Sequence, residues 1–124
     1  MTKKTSAEGE TKIHPAVELA ARAAASKKAT EVVVLDLRRA TAIMDYFVIV
    51  SGQNQRQLVA IADAVQEALR AEHVRPVSVE GYPRQEWILI DYADFVVHVF
   101  TPRSRAFYDL ERLWGGATRL EIAG

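Results

Sequence analysis

Hydrophobic positions along this chain follow two periods, one helical and one of strands. Val17, Ala20, Ala21 and Ala24 recur at helical spacing behind Pro15, which suits a first helical turn. Residues 30–37 carry the unbroken run Val32-Val33-Val34-Leu35, which predicts a buried strand. A polar connection over 38–45 leads to a second strand at 46–50, ending at Ser51-Gly52. Asn54 then offers an N-cap, with Gln57 three positions on. Leu58, Ile61, Ala62, Val65 and Leu69 trace one apolar stripe, so a helix is expected to about Glu72. Residues 76–80 predict a short strand and Gly81-Tyr82-Pro83-Arg84 a turn. Thr101 and Pro102 open a last helix, for which Phe107, Leu110, Leu113 and Trp114 supply the expected buried stripe and Gly115-Gly116 the stop.

Between these lies the stretch that organises the rest, residues 86–100. Two apolar runs flank a short polar break, the pattern of a β-hairpin. With Tyr92-Ala93 as a two-residue turn, Asp91 would face Asp94, Leu89 would face Val96 and Trp87 would face His98. Alternation then puts these six on one face, and Ile88, Ile90, Phe95, Val97 and Val99 on a core face. A helical crossover followed by a hairpin predicts an α/β fold: one domain over 13–116, with a mixed five-stranded sheet covered by helices. Residues 1–12 are almost free of apolar side chains and are expected as a disordered tail, with 117–124 as a C-terminal tail.

Composition narrows the function classes. With 124 residues and 49% hydrophobic content the chain can bury a core without staples. The absence of cysteine excludes disulfides and thiolate metal sites, and it fits a reducing compartment. Sixteen basic residues balance sixteen acidic ones, so there is no global field of the kind that gathers nucleic acid. No apolar run approaches the roughly 18 residues of a membrane span, and a cytoplasmic location is expected.

Candidate chemistry is sparse. Asp91, Asp94 and His98, with Asp45 from another loop, could be imagined around a metal. Asp at a hairpin tip is ordinary turn chemistry, however, and no paired-histidine spacing supports a site. Ser51-Gly52 between strand and helix resembles a phosphate-cradling turn, but the paired carboxylates of nucleotidyl transfer are missing. No cysteine or Gly-x-Ser-x-Gly nucleophile occurs. The expectation is a protein without catalytic residues, metal or cofactor. What remains is recognition. Trp87 and Tyr92 are residue types enriched at interface hot spots, and Glu80, Glu86, Asp91 and Asp94 would suit a partner presenting Lys or Arg. Trp87 admits a second reading as a core residue.

Several motifs occur together: Asp45-Tyr46-Phe47-Val48-Ile49, Ser51-Gly52-x-x-x-Arg56-Gln57, Ala60-Ile61-Ala62-Asp63 and Glu80-Gly81. They are joined by Trp87-x-Leu89-x-Asp91-Tyr92-x-Asp94-x-Val96-Val97-His98-Val99-Phe100 and Arg105-x-Phe107-Tyr108-x-Leu110-Glu111-x-Leu113-Trp114. This set resembles the ribosomal silencing factor family, also called Iojap-like or RsfS. The resemblance implies a nucleotidyltransferase-like topology without its catalytic carboxylates. It implies binding to the fourteenth protein of the large ribosomal subunit, at the face that meets the small subunit. Subunit joining would then be blocked and translation lowered when nutrients run short. Trp87 and Tyr92 match the family's binding positions, and Asp91, Asp94, His98 and Glu80 are the further candidates for contact. A homodimer is a second candidate assembly, and little direct nucleic-acid contact is expected. Where the family usually has Gly within Asp-Tyr-Gly-Asp, this chain has Ala93. The alternative function is a metal-dependent nucleotidyltransferase on the same topology; a third is an RNA-binding accessory protein of the ribosome.

Overall fold

The first helix, α1 (Pro15–Ser26), begins where Pro15 fixes the backbone, and the His14 Nδ1 accepts the Ala16 N–H at 3.0 Å. Its alanine face is buried, as the spacing predicts: Val17, Ala20, Ala21 and Ala24 are fully enclosed. The second helix, α2 (Gln55–Ala71), starts at the expected cap, with the Asn54 Oδ1 accepting the Gln57 N–H at 2.8 Å. Gln57 does more than complete that cap. Its Nε2 donates to the carbonyls of Lys27 and Lys28, tying the start of α2 to the end of α1. Leu58, Ile61, Ala62, Val65 and Leu69 are all buried, so the stripe read from spacing is the packed face.

The computed structural model describes residues 14–121, so the expected tail at 1–12 and residues 122–124 lie outside the described part. The strands are β1 (Thr30–Asp36), β2 (Tyr46–Ser51), β3 (Ser78–Glu80), β4 (Trp87–Asp91), β5 (Phe95–Phe100) and β6 (Thr118–Glu121). They form one mixed sheet in the order β3-β4-β5-β2-β1-β6. Among the described strands β2 and β5 are the one parallel neighbouring pair, and the chain between them runs through α2, β3 and β4. All of β5 is buried, as suits a central strand covered on both faces. The fold is therefore a single α/β domain with a mixed sheet, and it has six strands among the described residues, one more than expected. The extra one, β6, lies in the segment expected as a C-terminal tail. It pairs antiparallel with β1, Val34 opposite Leu120 and Asp36 opposite Thr118, and forms a short, polar edge.

The hairpin faces are as alternation predicts, but the register is not. Trp87 pairs with Phe100, Leu89 with His98 and Asp91 with Val96, a slip of two residues from the expected pairing. An even slip leaves every side chain on its expected face. The loop is Ala93-Asp94 instead of Tyr92-Ala93: Tyr92 N–H donates to the Phe95 carbonyl at 2.9 Å. Ala93 has φ +76°, and Asp94 N–H donates back to the Tyr92 carbonyl at 2.9 Å, a γ-turn geometry that L residues adopt with strain. The Asp91 Oδ1 accepts the Ala93 N–H at 2.8 Å and braces it.

Two cores result. The larger lies between the sheet and α1 and α2, filled by Val34, Val48, Val50, Ile88, Ile90, Val97 and Val99. The smaller lies on the opposite face, where Val33, Leu35, Leu37, Ile49 and Phe100 meet Phe47, Trp87, Leu110 and Trp114.

Candidate interaction surface around Trp87

Among the described residues, the helical cover of the opposite face comes from the chain after β5. Thr101 caps α3 (Pro102–Tyr108), its Oγ1 accepting the Ser104 N–H at 3.2 Å. The expected single helix then breaks. Asp109 takes the left-handed conformation, φ 48° and ψ 52°, and a second short helix, α4 (Leu110–Leu113), follows. The break resets the helical phase, so the expected stripe is split. Leu110 and Trp114 pack against the sheet, whereas Phe107 and Leu113 stand 78% and 71% exposed.

Arg105 fastens this segment. It is 6% exposed, and its Nη1 donates to the Glu31 carbonyl at 2.8 Å and to the Ser51 Oγ at 2.9 Å. Its Nε and Nη2 form a bidentate pair with Glu111 at 3.0 and 2.9 Å, and Arg119 on β6 reaches the same carboxylate at 3.2 Å. The hydrogen bonds from Arg105 hold the Glu111 carboxyl below its ordinary range. The sequence shows Arg105 and Glu111 within one motif but gives them no joint role, because an Arg and a Glu six positions apart do not meet on a continuous helix. This contact also answers the phosphate-turn question: the Ser51 hydroxyl is occupied by the guanidinium, and Gly52 N–H is bonded to the Phe100 carbonyl.

Trp87 lies half-buried on this face. Its indole stacks on Phe100 at 5.0 Å between centroids, and Tyr108 lies 4.4 Å away, tilted against it. Its Nε1–H donates to the His98 Nδ1 at 3.0 Å. Phe107 meets Tyr108 edge-on at 5.0 Å, which continues the aromatic group to the exposed surface. His98 itself is 3% exposed, meets Phe47 in a T-shaped contact at 4.5 Å, and is driven by burial to a pKa of about 3, so it is neutral.

The six sequence candidates are only partly brought together. Glu80 pairs with Leu89, which pairs with His98, so Glu80, Trp87, Asp91 and His98 share the face. Asp94 is exposed at the hairpin turn, and Glu80 is exposed on the edge strand β3. Tyr92 is placed differently from expectation. It points to the helix-covered face, 7% exposed and stacked on Phe95 at 4.9 Å, with its hydroxyl buried and burial pushing the phenol up to about 12. As the residue that flanks the true turn, it belongs to the strand alternation and so to the core. The imagined metal ligands do not converge: among the described residues no group of three or more His, Asp or Glu side chains could hold an ion. The residues that sequence reasoning missed as surface are Phe107, Tyr108 and Leu113, which only the break at Asp109 exposes.

A family model described as ribosomal silencing factor during starvation matches residues 10–124. The chain belongs to the RsfS family. The ribosomal silencing factor RsfS of Halalkalibacterium halodurans is 39% identical over 87% of this chain and 92% of that protein. The Bacillus subtilis RsfS is 35% identical over 86% of this chain and 90% of its own length. The chloroplastic protein Iojap of Zea mays is 36% identical over 82% of this chain, which spans 44% of that longer protein. A crystal structure of a protein from Chromobacterium violaceum superposes with a TM-score of 0.80 at 34% identity, covering 91% of this chain and 94% of that one. The fold is thus shared with that protein over 91% of this chain.

Proposed function

We propose that this RsfS-family chain represses translation by occupying the large ribosomal subunit where the small subunit would join, without catalysing a reaction. The observation that carries the reading is the aromatic group around Trp87: a half-buried indole continued outward by Tyr108 and Phe107, the latter 78% exposed. Rigid aromatics that offer an open face are the usual anchors of a protein interface. The partner is the fourteenth protein of the large subunit, whose Lys and Arg side chains would meet Glu80, Glu86, Asp91 and Asp94. Tyr92 contributes by holding the hairpin in shape, not by touching the partner. A second copy of the chain is the competing occupant of the same surface. Neither nucleic acid nor a cofactor enters the mechanism, and the protein acts in the cytoplasm.

The test is reassociation of purified large and small subunits with and without the protein. Wild type reduces the joined fraction. Trp87→Ala weakens binding to large subunits by about 2–4 kcal/mol, a hot-spot magnitude, while costing the isolated fold only about 2 kcal/mol. Unimpaired joining at saturating wild-type protein overturns the reading, as does a Trp87→Ala variant that still binds fully. A nucleotide enzyme is the second reading, and the Arg105 guanidinium on Ser51 does not favour it.

A further inference from the structure

His98 sits on β5, diagonal to Trp87 across the hairpin, and is walled by rings. Phe47 lies edge-on at 4.5 Å, Phe100 is 6.0 Å away, and the indole is 5.8 Å away. Among the described residues its side chain makes one hydrogen bond, and that bond fixes its tautomer. An indole N–H can only donate, so the Nδ1 that receives it at 3.0 Å is unprotonated and the proton resides on Nε2. Nε2 is fully buried and, among the described residues, has no hydrogen-bond partner. A phenyl or branched aliphatic side chain would fill this space without leaving a buried donor unsatisfied, which is a penalty. The imidazole therefore needs a role that offsets it, and among the described residues the indole is its one side-chain hydrogen-bond partner.

The indole needs such a partner. It stacks on Phe100 with 28° between planes, a contact that sets the plane of the indole but gives its Nε1–H no partner. Torsions at an aromatic ring are broad and roughly two-fold, so stacking alone leaves two orientations open. A single acceptor on one side removes that choice. The geometry points to His98 as a positioning residue: its Nδ1 locks the Trp87 indole in the one orientation against which Tyr108 packs and which the partner meets. His98 itself, being buried, never touches the partner. This rests on the reading that the Trp87 surface is the docking face. It assigns His98 to preorganisation, which lowers the ordering cost of binding and so acts on dissociation more than on association.

Nuclear magnetic resonance of the full chain tests it directly. The chain has two tryptophans, and Trp87→Phe assigns the indole signals. In wild type, a through-hydrogen-bond scalar coupling between the Trp87 Nε1 and the His98 Nδ1 is expected, with the imidazole as the Nε2–H tautomer. No substitution is needed for this measurement. A missing coupling or the opposite tautomer overturns the proposal. His98→Phe keeps ring volume and deletes the acceptor, whereas His98→Asn restores an acceptor near the Nδ1 position. With His98→Phe, the indole N–H should exchange about five- to tenfold faster and large-subunit dissociation should speed up by a similar factor. With His98→Asn both should return toward wild type. Unchanged indole exchange in His98→Phe sinks the tether. A loosened indole in that variant, in a protein whose Trp87→Ala form binds normally, upholds the tether and refutes the docking face instead.

Discussion

The two faces of the sheet are built from different materials. Beneath α1 and α2 the packing is mainly aliphatic and closed: Val17, Leu58, Ile61, Val65, Leu69, Ile88 and Ile90 are fully enclosed. On the opposite face two short helices give partial cover, aromatic rings and the Arg105–Glu111 pair join the aliphatic Val33, Leu35, Leu37 and Ile49, and Phe107, Tyr108 and Leu113 remain open. A helix of seventeen residues can bury a full stripe, while the seven-residue α3 broken at Asp109 cannot. The lesson is a division of labour. One face supplies folding stability through area removed from water. The other is held by a few directional contacts and leaves rings available for a partner.

The largest effect should come from the closed face. Ile61→Ala leaves a cavity among fully buried neighbours and should cost about 2–5 kcal/mol in urea unfolding, with no selective effect on binding. On the open face, Phe107→Ala should change stability by no more than about 0.5 kcal/mol. Equal losses in the two variants would break the comparison. Next in size is Arg105→Ala, which leaves Glu111 to Arg119 and removes the donor from the Ser51 hydroxyl and the Glu31 carbonyl. We expect a loss of about 2–3 kcal/mol, and earlier proteolysis in α3 and α4 than elsewhere. Uniform proteolysis would show that Arg105 does not fasten that segment separately.

Acid should act through the open face first. The folded protein keeps His98 neutral to a pKa of about 3, against an ordinary 6.5, because burial penalises its charge. Between those values the unfolded chain binds the extra proton and the folded one does not. Stability is therefore fully present above pH 6.5 and falls as pH drops, by up to about 1.4 kcal/mol per unit. The Asp36 and Glu111 carboxyls, lowered by hydrogen bonds from Arg38 and Arg105, add their losses only at more acid pH, below their ordinary 3.8 and 4.5. Urea midpoints at pH 6.5 and 5 should differ in wild type and converge in His98→Phe; an equal drop in both would place the acid sensitivity elsewhere. The smallest effect is at the hairpin turn. Ala93→Gly relieves a φ of +76° and should stabilise by about 0.5–1 kcal/mol, part of the relief being offset by glycine's freedom in the unfolded chain. A lower melting temperature in that variant would show that the turn is not strained.

The sequence alone determined the periodic features. Stripe spacing placed both long helices and their buried sides, the Asn54 cap marked the start of α2, and alternation assigned each hairpin side chain to its face. These are local consequences of 3.6-residue and two-residue periods. Register was not legible, because alternation is blind to an even slip, and the loop moved to Ala93-Asp94 under hydrogen bonds that alternation does not encode. Tyr92 followed the loop from expected surface to core. The strand at 118–121 was illegible for another reason: Thr-Arg-Leu-Glu carries no apolar run, and only the open edge of β1 recruits it. The aromatic surface depended on tertiary structure most of all. A left-handed Asp109 and an arginine buried against a carboxylate and a strand carbonyl decide which rings point outward. Those contacts join residues as far apart as Glu31 and Arg105, and no local pattern in the chain records that they will meet.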